Sequence, residues 1–111
     1  MLKKIQPYII LIIISTIALA DGIETFETAN LPGSYSDGSF VGNDGITWTY
    51  VASRNDAGYQ IDGAGILLRR ESSGSTIYSD AISGGISSFS VQLLKGFTGG
   101  GDRQAEFFIN D

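Results

Sequence analysis

The side chains of this sequence that could act on another molecule are carboxylates, aromatics and a few cations, for it contains neither His nor Cys. Without an imidazole, Ser–His catalysis, histidine base chemistry and histidine metal ligands are closed to it. Without a thiol, so are zinc–thiolate sites, thiol redox chemistry and cysteine nucleophiles. What remains is a carboxylate pair of the glycosidase kind, which needs two carboxyls held about 5–10 Å apart. Glu24, Glu27, Asp37, Asp44, Asp56, Asp62, Asp80, Asp102 and Glu106 supply the groups, but their spacing singles out no pair. Most stand beside Gly or Ser, where an Asp side chain bonds to the nearby backbone and shapes a turn, so no catalytic residue is assigned.

Calcium is a second use for loop carboxylates, because it takes hard oxygen ligands. Asn43-Asp44-Gly45 and Asn55-Asp56 have that character, without the twelve-residue spacing of an EF-hand. Aromatic side chains offer a third chemistry, stacking on the C–H faces of pyranose rings. Of Trp48, Tyr50, Tyr59, Tyr78 and Phe97, the first two share a face with Ile46 and are assigned to the core. Tyr59 and Phe97 fall in expected loops and are the candidate ligand-binding residues. Gly99-Gly100-Gly101 lacks the Lys-Ser/Thr and the following helix of a phosphate loop and reads as a connection. Arg69 and Arg70 point to opposite faces of an expected strand, with one of them expected to pair with a neighbouring carboxylate rather than with a ligand.

The elements that must position these residues are strands. No 3.6-residue apolar stripe follows residue 20; short alternating runs are punctuated by Gly, Ser, Asn and Asp. Strands are expected at 23–26, 39–42, 46–52, 66–70, 76–79, 88–95 and 103–109, the clearest being 46–52, where Ile46, Trp48 and Tyr50 alternate with Thr47, Thr49 and Val51. Asn43-Asp44-Gly45 is a tight turn, 54–65 a polar Gly-rich loop, Glu71 to Gly74 a turn, and 96–102 a Gly-rich link. Seven short strands at turn-punctuated spacing predict an all-β, antiparallel sandwich or barrel.

Ahead of this region, Lys3 and Lys4 precede an apolar run over 8–14, and Ala18-Leu19-Ala20 closes it. That is the order of a cleavable secretory signal peptide over 1–20, shorter than a membrane span and interrupted by Ser15 and Thr16. Cleavage leaves a module over 21–111 with no stable membrane anchor. Of seven Lys and Arg, loss of Lys3 and Lys4 leaves five against twelve carboxylates, a net charge of −7. A field of that sign repels phosphate backbones, so no nucleic acid partner is expected through this segment. With no cysteine to cross-link it in an oxidising compartment, the module must rely on its core or on a bound ion. A strand that runs into Asn110-Asp111 is expected to continue through a hairpin into a partner, so the sandwich is expected to be incomplete.

Several stretches together resemble a known module: Glu24-Thr25-Phe26-Glu27, Tyr35-Ser36-Asp37-Gly38-Ser39-Phe40, Gly45-Ile46-Thr47-Trp48-Thr49-Tyr50, Leu67-Leu68-Arg69-Arg70, Gly84-Gly85-Ile86-Ser87-Ser88-Phe89-Ser90-Val91, and the run from Lys95 to Gln104. The chain is similar to the carbohydrate-binding-like jelly-roll module near the N-terminus of many secreted bacterial multidomain proteins, among them adhesins and extracellular hydrolases, including nucleases. The resemblance implies a jelly-roll-like β-sandwich and, in related carbohydrate-binding folds, a structural calcium ion held by acidic residues of the first and last strands. Glu24 or Glu27 matches the first of these positions, and the second has no counterpart in this sequence. It also implies a secreted or cell-surface, non-catalytic accessory module that binds a glycan or cell-surface polymer. Two other readings are the leading part of a secreted hydrolase whose catalytic domain lies beyond residue 111, and a structural adhesin module.

Overall fold

The computed structural model describes residues 22–70, 74–97 and 99–109. The expected signal peptide, most of the turn expected after Arg70, and Asn110-Asp111 lie outside the described residues. Those described form no helix and four strands: β1 (Ser36–Val41), β2 (Thr47–Arg54), β3 (Leu67–Leu68) and β4 (Thr76–Ser79). All pairings are antiparallel and all are made with β2. β1 runs along one edge of it, while β4 takes the stretch from Trp48 to Val51 on the other edge and β3 takes Ser53 and Arg54. The chain is therefore all-β and antiparallel, built as an open sheet around one central strand.

The β1–β2 hairpin forms where the sequence places its tight turn. Gly45 takes φ +74°, which an L side chain rarely adopts, and Gly42 N–H donates to the Ile46 carbonyl at 2.8 Å. Register then sets Phe40 opposite Trp48 and Gly38 opposite Tyr50. Phe26 packs edge-on to both Phe40 and Trp48, with centroids 6.2 and 6.0 Å away and ring planes at 74° and 76°. Such contacts are worth about 0.5–1.5 kcal/mol each beyond the area they bury. Ala29, Leu31, Phe40 and Tyr50 form the buried centre, flanked by Phe26, Trp48, Ile66 and Ile77, as the alternation of 46–52 predicts for Trp48 and Tyr50.

A bulge interrupts this alternation. Ser36 pairs with Ser53 while Gly38 pairs with Tyr50, so β2 carries one residue more than β1 across the step. Ala52 takes φ +48° there, and its freed N–H donates to Asp37 Oδ1 at 2.8 Å. The extra residue reverses which parity faces inward. Ser53, on the solvent side of an unbroken strand, becomes the most buried residue described. Its hydroxyl donates to the Val51 carbonyl at 2.9 Å and lies 3.4 Å from Ser75 Oγ, which in turn accepts from Arg69 N–H at 2.9 Å. The two serines thus tie β2 to the segments that carry β3 and β4.

Three expected strands are absent from the ladders. Over 23–26 the backbone turns at Phe26, with φ +60°, and Ala29 N–H donates to the Phe26 carbonyl at 3.1 Å. This segment lies beside the hairpin through side chains instead: Thr28 Oγ1 donates to the Val41 carbonyl and Asn43 Nδ2 to the Ile23 carbonyl. The stretches 88–95 and 103–109 also make no ladder. They meet through Phe89 and Phe107, whose rings are 5.7 Å apart, and leave Val91, Leu93, Leu94, Phe108 and Ile109 exposed. The four remaining expectations overlap β1 to β4.

A Cβ added at Gly38 would meet the Tyr50 hydroxyl and lie 2.7 Å from its Cζ, whereas one at Gly33 meets nothing within 4 Å. Gly38→Ala is expected to lower unfolding stability by about 1–3 kcal/mol in urea titrations, as overpacking does. Gly33→Ala serves as its control and is expected to be neutral or stabilising by up to about 1 kcal/mol.

Candidate functional site

The two ligand-binding candidates come from different loops and meet. Tyr59 follows a turn made by Asp56: Gly58 N–H donates to the Asp56 carboxylate and Tyr59 N–H to its carbonyl, each at 3.0 Å. This is the local bonding that makes Asp a turn residue. Phe97 stands at the start of the Gly-rich link and takes φ +62°, a conformation that costs an L residue about 1–3 kcal/mol and must be held by its surroundings. Gly96 supplies part of that hold, since a Cβ there would lie 2.7 Å from Leu67 Cδ1 and 3.9 Å from the Tyr59 ring. The Tyr59 and Phe97 ring centroids are 4.6 Å apart, tilted by 55°. Phe97 is 42% exposed, so the pair presents aromatic surface outward.

Arg54, the last residue of β2, fastens the loops around this pair. Its guanidinium reaches Asp56 Oδ2 at 2.5 Å and the Gly33 carbonyl at 3.1 Å. The same group lies 5.1 Å from the Tyr35 ring centre and 5.3 Å from that of Phe97. Stacking of this kind is worth about 0.5–1 kcal/mol per contact where solvent reaches it. Arg69 approaches Tyr35 at 5.5 Å. Beyond them, the carbonyls of the Gly-rich link gather the other cations. Arg70 Nη1 donates to the Gly100 carbonyl at 3.2 Å, and Arg103 donates to those of Gly99, Gly100 and Gly101. Lys95 Nζ approaches Gly101 O at 3.5 Å.

Tyr35, Tyr59, Arg69, Arg70, Lys95, Phe97 and Arg103 all border the broad open space between the sheet and the 82–109 segment, which takes in more than half of the described residues, so the ring and cation contacts rather than the space single them out. A separate, smaller cleft of about 280 Å³ involves Glu27, Asn30, Asn55 and Gln60. Sequence reasoning nominates Tyr59 and Phe97 but misses Tyr35 and Arg54. Nothing in the spacing of these two marks them, because what joins them to Phe97 is the end of β2 and the path of two loops.

Glu24 and Glu27, the candidate calcium ligands, are turned to different segments. Glu24 accepts from Phe26 N–H at 2.7 Å through Oε1 and from Asn43 N–H at 3.0 Å through Oε2. Glu27 Oε1 accepts from Ala64 N–H at 2.7 Å. Among the described residues no three acidic side chains gather around one point. Both oxygens of Glu24 accept from amides and Glu27 bonds to a different segment, so the two carboxylates do not share one site.

Comparison with protein-family models, curated proteins and solved structures finds no match for the chain. The site is therefore read from its own geometry: an aromatic pair in an open groove, braced by one arginine and rimmed by others.

The bonding of Glu24 and Glu27 generates a prediction. Chelation with EDTA is expected to leave the melting temperature of the full chain unchanged. Saturation of a calcium site at a hundred times its Kd would instead add about 2.7 kcal/mol of stability. A calcium-dependent rise in melting temperature that disappears in Glu24→Gln would reassign that carboxylate to the metal.

Proposed function

We propose that the chain is an exported, non-catalytic binding module, and that Tyr59 and Phe97 form the contact surface for a glycan or similar cell-surface polymer. The observation that carries this reading is the pairing of two aromatic rings from separate loops, with Phe97 held outward in a left-handed backbone conformation. Phe97 keeps 42% of its surface exposed while packed on Tyr59, so a ligand can reach its ring. Binding sites commonly combine aromatic lining with a few placed polar groups, and the groove offers both. Its openness suits an extended chain that passes through rather than a small molecule that must be enclosed.

Export supports the same reading. The order of charged, apolar and small residues over 1–20 directs the chain out of the cytoplasm, where polysaccharides and surface polymers are the abundant ligands. The jelly-roll resemblance points the same way, and the antiparallel sheet is compatible with it. In that reading the 82–109 segment supplies the facing layer of the sandwich. No carboxylate pair is assigned a catalytic role.

Isothermal titration of the full chain against a panel of neutral and acidic oligosaccharides tests the proposal. Binding is expected for at least one saccharide class. Phe97→Ala and Tyr59→Ala are each expected to weaken it tenfold or more, about 1.4 kcal/mol, with an unchanged far-ultraviolet circular dichroism spectrum. Binding that survives both substitutions would overturn the assignment of the aromatic pair.

A further inference from the structure

Every cation among the described residues lies in one neighbourhood. Arg54 and Arg69 stack on Tyr35, and Arg54 also on Phe97. Arg70, Lys95 and Arg103 converge on the carbonyls of Gly99, Gly100 and Gly101. The convergence is unexpected in a chain with twelve carboxylates, which could disperse its few cations into separate surface pairs. Arg54 is matched by Asp56, and Asp102 lies exposed beside Arg103. Arg70, Lys95 and Arg103, however, bond to carbonyl oxygens and to no carboxylate among the described residues. A carbonyl holds a guanidinium in place without cancelling its charge, and the fork still has N–H donors to offer.

From this juxtaposition we infer that the groove takes an anionic polysaccharide, a chain of carboxylated sugars such as a uronan. The inference rests on the glycan-binding reading and names its ligand class. A uronic acid presents an apolar C–H face and a carboxylate on the same ring, and the site presents aromatic faces beside guanidinium and ammonium groups. Tyr35, Tyr59 and Phe97 provide the stacking surface; Arg70, Lys95 and Arg103 provide the countercharge. Guanidinium suits a carboxylate because two parallel N–H donors match its two oxygens. A nucleic acid strand shares the stacking and the one charge per unit, and the net charge of −7 over 21–111 repels both polymers alike. The glycan-binding reading is what favours the uronan, and single-stranded DNA is the competitor that the experiment must exclude.

Affinity of the full chain for polygalacturonate, compared with a neutral oligosaccharide of similar length and with single-stranded DNA, tests the inference. The expected result is preference for polygalacturonate, weakening at least tenfold as sodium chloride rises from about 0.05 to about 0.5 M, since the contacts are exposed and screened by salt. Arg70→Ala and Lys95→Ala should each weaken it several-fold, with partial rescue by Arg70→Lys. Because the salt series uses the unaltered protein, its outcome does not depend on any variant folding. Equal, salt-insensitive binding of the neutral glycan would overturn the anionic assignment and leave the glycan-binding reading standing. DNA bound as tightly as polygalacturonate would overturn it in favour of general polyanion binding. No saccharide bound at all would overturn both.

Discussion

The hydrogen bond from Ala52 N–H to the Asp37 carboxylate fixes the point at which the central strand changes face, and the sheet on either side depends on it. Up to Tyr50, β2 turns its large aromatics toward the core. The extra residue at the bulge would leave a backbone donor unpaired, at a cost of about 1–3 kcal/mol if it were shut away from water. Asp37 removes that cost with an acceptor from the neighbouring strand. Beyond the bulge the parity is reversed, so Ser53 is enclosed and Arg54 emerges opposite Leu67, the first residue of β3. A continuous strand would have turned Ser53 outward and Arg54 to the other face, away from Tyr35 and Phe97.

The candidate site follows from that placement. Arg54 is the common partner of Gly33 and Tyr35 in one segment, Asp56 just beyond its own strand, and Phe97 far along the chain. Its interactions are individually modest, and solvent reaches the ion pair with Asp56, whose side chains keep 21% and 28% of their exposure. Their joint effect is geometric: one planar group orients several loops at once, with less entropy lost per contact than separate pairs would require. The left-handed backbone of Phe97 is tolerable under this arrangement because Arg54, Tyr59 and the close approach at Gly96 all constrain it.

The segment after β4 shows what a strand needs beyond its pattern. Residues 88–95 and 103–109 alternate apolar and polar side chains, and the ring contact of Phe89 with Phe107 brings the two runs together. Alternation fixes which side chains share a face; it does not supply the carbonyls and N–H groups of a neighbour, without which a ladder cannot form. At the other end of the module, 23–26 also alternates, but Glu24 bonds to the N–H of Phe26 in its own segment as well as to that of Asn43. A local side-chain acceptor has there taken the place of strand pairing.

What the sequence by itself determined is therefore local: the all-β class, the Asn43-Asp44-Gly45 turn, the identities of β1 to β4, the assignment of Trp48 and Tyr50 to the core, and the loop positions of Tyr59 and Phe97. Each follows from side-chain alternation or turn chemistry that acts over a few residues. Tertiary structure decided the central position of β2, the bulge that buries Ser53, the role of Arg54, and the collection of the cations around Gly99 to Gly101. These depend on which distant segments share an edge, a ring face or a carbonyl. Composition counts charges and periodicity assigns faces, but only the closed path of the chain brings Arg54, Tyr35, Tyr59 and Phe97 within contact distance.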